Sequence, residues 1–467
     1  MLYNYNVFNM LLYICWRKKC QKNLKKLEFL ARTLLFQNCA NVIDVIKKLI
    51  FSQDFLHRHR KSEKDFTRKR KLPFPTLIIF LIDLATGSYQ NELNRFFRIL
   101  IPSDLPMKFI SKVALAKARL KFSYNAFIEL NEQIAEFFYK KMPVNQWNGY
   151  NLLAVDGTLL HLPKIQSILE YFGVWHNTKG DNRPMARVSQ MFDPLNRVSI
   201  DSIISPKSVG ERELAARHFF KLTVGDLILL DRGYPAYWLF NLIMSMGADF
   251  CARISATKWK IIRKFVNSGK QEAIISLPVF TSSIKKCKEL GLEISSLKLR
   301  LIRVELDTGE TEVLITSLID KKALPCELFR ELYHLRWPVE EDYKKMKSWI
   351  EIENFSGKSV ESVHQDFHAK VFAKNLTAVI ASTTSEDIDV AYKTRKYLYQ
   401  VNYAQAYSEM KRIIPALFFR SKDLVSEIIA ALREFLVQTV EPIRPGRKFQ
   451  RKKMPPRNYY QNYKAIC

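Results

Sequence analysis

Apolar residues recur along this chain with two different periods, and the change falls near Trp147. Before it, Thr76 to Leu84 and Asn91 to Leu100 carry apolar side chains at helical spacing. Ser111-Lys-Val-Ala-Leu-Ala-Lys-Ala-Arg-Leu and the stretch from Tyr124 to Tyr139 predict two more helices, the first with a basic face. After Trp147 the apolar runs shorten to strand length: Leu152 to Leu162, Ala186 to Phe192, and Arg197 to Ile204 beyond the turn-forming Asp193-Pro-Leu-Asn. The second and third of these read as a hairpin. A helical pattern from Gly210 follows, then a strand over Asp226 to Leu230, a helix over Pro235 to Met246 and a strand over Asp249 to Ile254.

That succession, β-β-β-α-β-α-β, is the order of a ribonuclease H-like domain, so the expected fold class is α/β. Between Lys258 and about Leu318 the pattern is again strand-like, with a turn at Asp307-Thr-Gly-Glu, and predicts a β-rich insertion before the last helices of the core. From Leu324 a helical pattern resumes and carries Tyr333, Arg336, Glu340 and Lys347 at spacings that place all four on one stripe. Pro338 interrupts it. The segment is then either one helix kinked at the proline or a helix starting at Pro338 with Tyr333 and Arg336 in the preceding turn.

Charge narrows the partner. The 467 residues hold 74 Lys and Arg against 46 Asp and Glu, a formal net charge of +28, which calls for a polyanion. Nucleic acid fits better than an acidic membrane face, because no run reaches the ~18 uninterrupted apolar residues that spanning requires. The first sixteen residues are apolar but broken by Asn4, Asn6 and Asn9, with their positive charge after the run, unlike a signal peptide; a misassigned start site would also account for them. Seven scattered cysteines, Cys15, Cys20, Cys39, Cys251, Cys287, Cys326 and Cys467, form no Cys-x-x-Cys pair and argue against disulfides and zinc, hence for a reducing cytoplasm. The basic run over 57–71 reads as a boundary, a DNA-contacting arm or a solvated linker. The basic, aromatic and proline-rich end from Ile443 reads as a backbone-binding or merely solubilising tail.

Three acidic residues stand where chemistry on phosphodiesters needs them. Asp156 lies within Leu152-Leu-Ala-Val-Asp-Gly-Thr, Asp231 closes Leu227-Ile-Leu-Leu-Asp-Arg-Gly-Tyr, and Glu340 lies in the late helical segment. Hard Mg²⁺ takes oxygen ligands and retains waters, so a few rigid carboxylates suffice to hold a pair of ions beside a phosphate. An aspartate before glycine at a strand end is more often a turn former, so it is the combination that carries weight. Asp193, Asp201 and Asp226 compete; Asp193 sits in a hairpin turn and Asp226 opens a strand. Trp337 reads as core. Trp259 with Lys258, Lys260, Arg263 and Lys264 fits either DNA contact or a half-buried strand, and His161, His176 and His218 read as structural.

Tyr333-x-x-Arg336-x-x-x-Glu340, followed by Lys347, resembles the Tyr-Arg-Glu-Lys signature of bacterial insertion-sequence transposases of the insertion-sequence-four family. The contexts Asp231-Arg-Gly-Tyr and Asp156-Gly-Thr resemble that family's two aspartate motifs. The resemblance runs from about Leu72 to the tail. It implies a ribonuclease H-like catalytic core interrupted by a β-rich insertion, with Asp156, Asp231 and Glu340 as catalytic, metal-binding residues. It implies that Tyr333, Arg336 and Lys347 bind DNA phosphates near the cleaved end. The expected organisation is a basic helical DNA-binding region over 1–145, a core over 146–257 and 319–440, an insertion over 258–318 and a tail over 441–467. The implied activity is that of a DNA transposase, cleaving element ends with Mg²⁺ (Mn²⁺ as a substitute) and joining the 3′ ends to target DNA, as a synaptic homodimer with hairpin intermediates. A nuclease of the same fold that never joins, and a non-catalytic DNA-binding descendant, are the rival expectations.

Overall fold

The computed structural model describes residues 37–101, 108–175, 183–305 and 309–444. The expectations for the apolar first residues, for His176, for the turn at Asp307 and for the basic tail beyond residue 444 fall outside these. The architecture is mixed α/β, one large sheet with many helices.

The strands are β1 (Asn151–His161), β2 (Val174–Trp175), β3 (Arg183–Asp193), β4 (Val198–Ser205), β5 (Asp226–Leu230), β6 (Asp249–Ile254), β7 (Glu272–Leu277), β8 (Leu297–Glu305) and β9 (Thr311–Thr316). They join in one sheet of order β2-β3-β1-β5-β6-β9-β8-β7, with β4 also paired to β3. Only β1, β5 and β6 run parallel to one another; every other pairing is antiparallel. Parallel neighbours end on the same edge, so the chain positions that follow β5 and the middle of β1 open onto one crevice. The all-apolar Leu227 to Leu230 in β5 follows from burial on both faces: Leu227 and Leu229 join one core, Ile228 and Leu230 the other.

Two helical layers cover the sheet. The preceding helices are α1 (Gln53–His59), α2 (Phe74–Ile82), α3 (Tyr89–Leu100), α4 (Lys112–Arg119) and α5 (Asn125–Lys141), with α6 (Gln166–Phe172) between β1 and β2. On the second face lie α7 (Glu211–Phe219) and α8 (Tyr237–Ser245), joined by α9 (Lys260–Asn267) and α10 (Thr281–Glu289). The chain ends in α11 (Leu328–His334), α12 (Pro338–Ser348), α13 (Val360–Ser382), α14 (Ser385–Ala391), α15 (Tyr403–Phe419) and α16 (Lys422–Gln438). A hairpin of β10 (Tyr399–Val401) and β11 (Val440–Pro442) ties the ends of the last helices together.

The structure departs from expectation in three places. Segment 258–318, expected as a β-rich insertion, mixes strands with helices. Its three strands extend the central sheet, and α9 and α10 alternate with them. Trp259 is therefore not in a half-buried strand but caps α9, stacked on Phe280 at 4.9 Å; the helix buries only Ile262 and Phe265, a stripe too narrow to register against its basic residues. The N-terminal helices share their core with the rest: Leu77, Phe96 and Leu130 belong to the same cluster as Phe372, Met410 and Leu432. The run from His57 is pinned, since Arg60 bridges to Phe122 and Lys61 pairs with Glu361 at 3.0 Å. Helix α6 and strand β2 are additional, too short to show a period.

At the centre runs α13, buried almost along its length. Two of its polar residues are satisfied from distant helices, as burial demands: Asp366 meets Arg119 at 2.6 Å, and Asn375 meets Asn131 at 2.6 Å. Cys39, Cys251, Cys287 and Cys326 are free thiols. Among the described residues no helix is long and apolar enough to cross a membrane.

Candidate active site

Asp156 and Asp231 reach one crevice because of strand register. Val155 pairs with Leu230 at the end of the parallel β1/β5 ladder, so the next residue on each strand is an aspartate. Beyond Asp156, β1 continues against β3 alone. Even-numbered residues of β1 face the helical layer that contains α12, and Tyr343 of that helix donates to the Asp156 carbonyl oxygen at 2.9 Å. Glu340, in the first turn of α12, is thereby brought beside the strand ends. The helix does begin at Pro338, with Tyr333 in α11 and Arg336 in the turn between the two helices.

Arg336 is the hub. It is 3% exposed; Nη2 donates to Glu340 Oε1 at 2.7 Å and Nη1 stands 3.9 Å from Asp156 Oδ2. Its Nε and Nη1 are buried without a hydrogen-bond partner, so the guanidinium retains donors that no side chain or carbonyl uses. A surface ion pair of the ordinary i, i+4 kind is not buried in this way. The ring of Tyr333 lies 5.8 Å below the guanidinium, and that of Trp337 at the same distance. Trp337 is 40% exposed, which corrects its reading as a core residue: the break at Pro338 turns the indole outward over Arg336.

Asp231 is held by cations and a phenol. Arg253 of β6 contacts its Oδ1 at 2.8 Å, and Tyr333 donates to the same oxygen at 3.2 Å. Burial pushes its pKa up, but the Arg232 amide, Arg336 and Arg253 outweigh that and hold it below the usual carboxylate value. Asp156 goes the other way. Burial raises it to about 6, and the neighbouring charges of Glu340 and Asp231 add to the rise against the opposing Gly157 amide and Arg336. Like charges crowd this site. Among the described residues no three Asp, Glu, His or Cys side chains converge closely enough to hold an ion as they stand; the carboxylates are spread over Arg336 and Arg253.

Lys347 lies along the same face of β1, where its ammonium donates to Thr158 Oγ1 at 3.0 Å and to the Leu159 carbonyl at 2.8 Å. It braces α12 to the strand with two of its three donors. A second brace is buried: Lys374 of α13 meets Asp342 at 2.5 Å and Ser199 at 2.5 Å, and Gln190 donates to Asp342 at 2.8 Å. The competing aspartates serve local structure. Asp193 caps its turn through Asn196 and accepts from Tyr139 at 2.6 Å, Asp226 accepts from Thr223, and Asp201 pairs with His218 and Lys221.

Sequence reasoning missed Arg253, Tyr343 and the Lys374–Asp342 pair. An arginine interrupting the apolar strand Phe250 to Ile254, and a lysine inside the apolar stretch of α13, were the available signals. Tyr234, in the quoted Asp-Arg-Gly-Tyr motif, lies 3.9 Å from where a side chain on Gly157 would begin; that Cβ would also meet the Val188 carbonyl at 3.3 Å, so glycine follows Asp156 for lack of room.

Residues 147–376 match the family described as Transposase DDE domain. The chain is 21% identical, over 389 residues covering 82% of it and 86% of the relative, to transposase InsG for insertion sequence element IS4 of Escherichia coli (strain K12). Among solved structures it is similar to a piggyBac transposase synaptic complex with hairpin DNA determined by cryo-EM, at 11% identity and a TM-score of 0.45, covering 87% of each chain.

Proposed function

With residues 147–376 belonging to the Transposase DDE domain family, we propose that this protein is a DNA transposase whose catalytic carboxylates are Asp156, Asp231 and Glu340. It binds the ends of its element, cleaves them by metal-assisted phosphodiester hydrolysis and joins the freed 3′ ends to target DNA. The observation that carries the assignment is the register that ends the β1/β5 pairing at Val155 and Leu230, each followed directly by an aspartate, with Arg336 linking Asp156 to Glu340.

The donor set fits a hard divalent cation: carboxylate oxygens only, with Asp156 raised to about 6 first by burial and then by the charges of Glu340 and Asp231. Asp156, Asp231 and Glu340 would hold Mg²⁺, with Mn²⁺ as a substitute. A divalent ion held by these carboxylates would supply Lewis-acid activation of the attacking oxygen and charge stabilisation of the leaving one.

The protein's own groups do the rest. Arg253 and Tyr333 fix the orientation of Asp231 through its Oδ1, and Tyr343 fixes the β1 backbone at Asp156. Arg336, with buried donors unspent, is placed to take a phosphate oxygen. Lys347, with the donor not committed to β1, and Tyr333, on exchanging its bond to Asp231 for a phosphate oxygen, would complete the grip on DNA near the cleaved end.

The strand order β4-β3-β1-β5-β6, antiparallel then parallel, supports a ribonuclease H-like core over 146–257 and 319–440, with 258–318 inserted. The basic helices over 1–145 would bind DNA, with a basic tail over 441–467. Joining two ends at once needs two sites, which a homodimer supplies. The free thiols and the DNA substrate fit action in a bacterial cytoplasm. Incubating the protein with Mg²⁺ and a labelled duplex bearing the element's terminal repeat, beside a pre-cut end and plasmid target, tests the reading. Cleavage and joined product are expected. Cleavage with no joining would make it a nuclease, and binding alone would make it non-catalytic.

A further inference from the structure

On the flank of α12 turned away from the carboxylates, a cavity of ≈ 240 Å³ opens between this helix, the β3–β4 turn and α15, lined by Phe192, Arg197, Lys345, Gln400, Tyr403 and Tyr407. That is more than ten times the ~10–15 Å³ that a single water needs. Its walls are largely aromatic, and its charged groups are two cations, Arg197 and Lys345, and two carboxylates, Glu341 and Asp342.

The two cations lack anionic partners. Lys345 lies over the rings of Trp349 at 5.4 Å and Tyr403 at 5.7 Å, with no hydrogen bond or ion pair to a described residue. Burial first, and the charge of Arg197 second, push its pKa down, as expected for a partly buried ammonium without a carboxylate. Arg197 stacks on Tyr403 at 4.9 Å and donates to Gln400 at 2.6 Å. The two carboxylates that also line the cavity are paired with other lysines, Asp342 with Lys374 and Glu341 with Lys344 at 2.6 Å, which leaves Arg197 and Lys345 as its unpaired charges. Arg197 also occupies a left-handed backbone position, φ 59°, where glycine or asparagine is usual. A long cationic side chain there spends backbone strain to place a guanidinium at the cavity.

We propose that this cavity binds a nucleoside monophosphate unit, its phosphate between Arg197 and Lys345 and its sugar and base against Tyr403, Tyr407 and Phe192. The unit comes either from a DNA strand that passes α12 or from a free nucleotide. The DNA source rests on the transposase reading, whereas the free-nucleotide source stands without it.

The test uses the full chain in two arms. In the first, thymidine 5′-monophosphate, thymidine and inorganic phosphate are titrated into the wild type, Arg197→Gln, Lys345→Gln and the charge-retaining Lys345→Arg by calorimetry. In the second, binding of a single-stranded oligonucleotide is followed against salt. A free-nucleotide site gives saturable monophosphate binding, weaker thymidine binding, a loss of about tenfold or more in the glutamine variants and recovery in Lys345→Arg. A DNA site gives no monophosphate binding but a salt slope that falls by ~0.7 per lost phosphate contact in each glutamine variant. Unchanged behaviour in both arms, with circular dichroism intact, overturns the proposal. A wild type that cleaves its terminal repeat while the glutamine variants match it in both arms refutes the pocket alone. A wild type inert toward DNA that still binds the monophosphate refutes the transposase reading alone.

Discussion

Lys374→Ala should loosen the helix that carries Glu340. The ammonium is 1% exposed and is shared between Asp342 and Ser199 at 2.5 Å each, while the side chain of Asp342 is 9% exposed. Truncation leaves the carboxylate buried with Gln190 as its remaining partner. Breaking a buried pair from one side costs about 3–5 kcal/mol, because the surviving charge is desolvated and unmatched. With an unfolding entropy of about 2.1 cal/mol/K per residue over a chain of 467 residues whose first and last helices share one core, each kcal/mol moves the midpoint by roughly 1 °C, and the melting temperature should fall by about 3–5 °C. Scanning calorimetry on the wild type, Lys374→Ala, Lys374→Met, Asp342→Leu and the double variant Lys374→Met/Asp342→Leu closes the cycle. The double variant should recover most of the loss, since apolar replacements of similar volume restore a buried pair's stability; Gln190, left without its acceptor, keeps the recovery incomplete. A fall below about 2 °C in the single variant, or a double variant as unstable as the sum of the singles, would refute the reasoning.

Asp156→Asn, Asp231→Asn and Glu340→Gln should each lower Mg²⁺-dependent cleavage by about 10³-fold or more, the equivalent of ~4 kcal/mol, with DNA affinity within a few fold of wild type; a variant that still cuts at the wild-type rate removes its residue from the site. Lys347→Ala should cost about 1.5–3 kcal/mol of stability through its charge-assisted bonds to Thr158 and Leu159; unchanged melting would show that the brace contributes nothing. Asp201 is pushed up by burial, but His218 and Lys221 outweigh that and bring it down to about 2 from an ordinary 3.8. A depressed carboxylate contributes stability that is full above the unfolded value and lost as pH falls through the folded one, about 2 kcal/mol between about pH 4 and pH 2. His218→Gln should therefore move acid unfolding to higher pH, and an unmoved midpoint would contradict the pairing.

Much of this arrangement is legible in the amino-acid order. A strand such as Leu227 to Leu230, apolar without alternation, announces burial on both faces, and an aspartate directly after it has nowhere to point but the sheet edge. The spacing of Tyr333, Arg336 and Glu340, together with Pro338, pointed to either a kinked helix or a helix start, and the structure has the start. Long-range partners were not legible. Nothing local to Asp231 points to Arg253, and nothing near Asp342 points to Lys374, because each pairing exists only once separate elements pack. Helical spacing in the first third reveals an apolar face without naming what covers it, so helices that share a core with α13 read as an independent region. Trp337 misled for a related reason: an aromatic residue between apolar neighbours is usually buried, but a helix break beside it changes the direction of its side chain.

The shared core also sets a timetable for synthesis. Cys39 bonds to Thr383, 344 positions later, and Lys47 to the Arg420 carbonyl, 373 later. At about 5–20 residues per second, the early helices wait roughly 17–70 s on the ribosome before these partners exist. During that interval Phe74 to Ile82, apolar and almost wholly buried in the finished fold, is exposed to other chains. The yield of active protein should then depend on translation speed and on chaperones that shield nascent apolar helices, and a fragment ending before α13 should be insoluble however stable the full chain is.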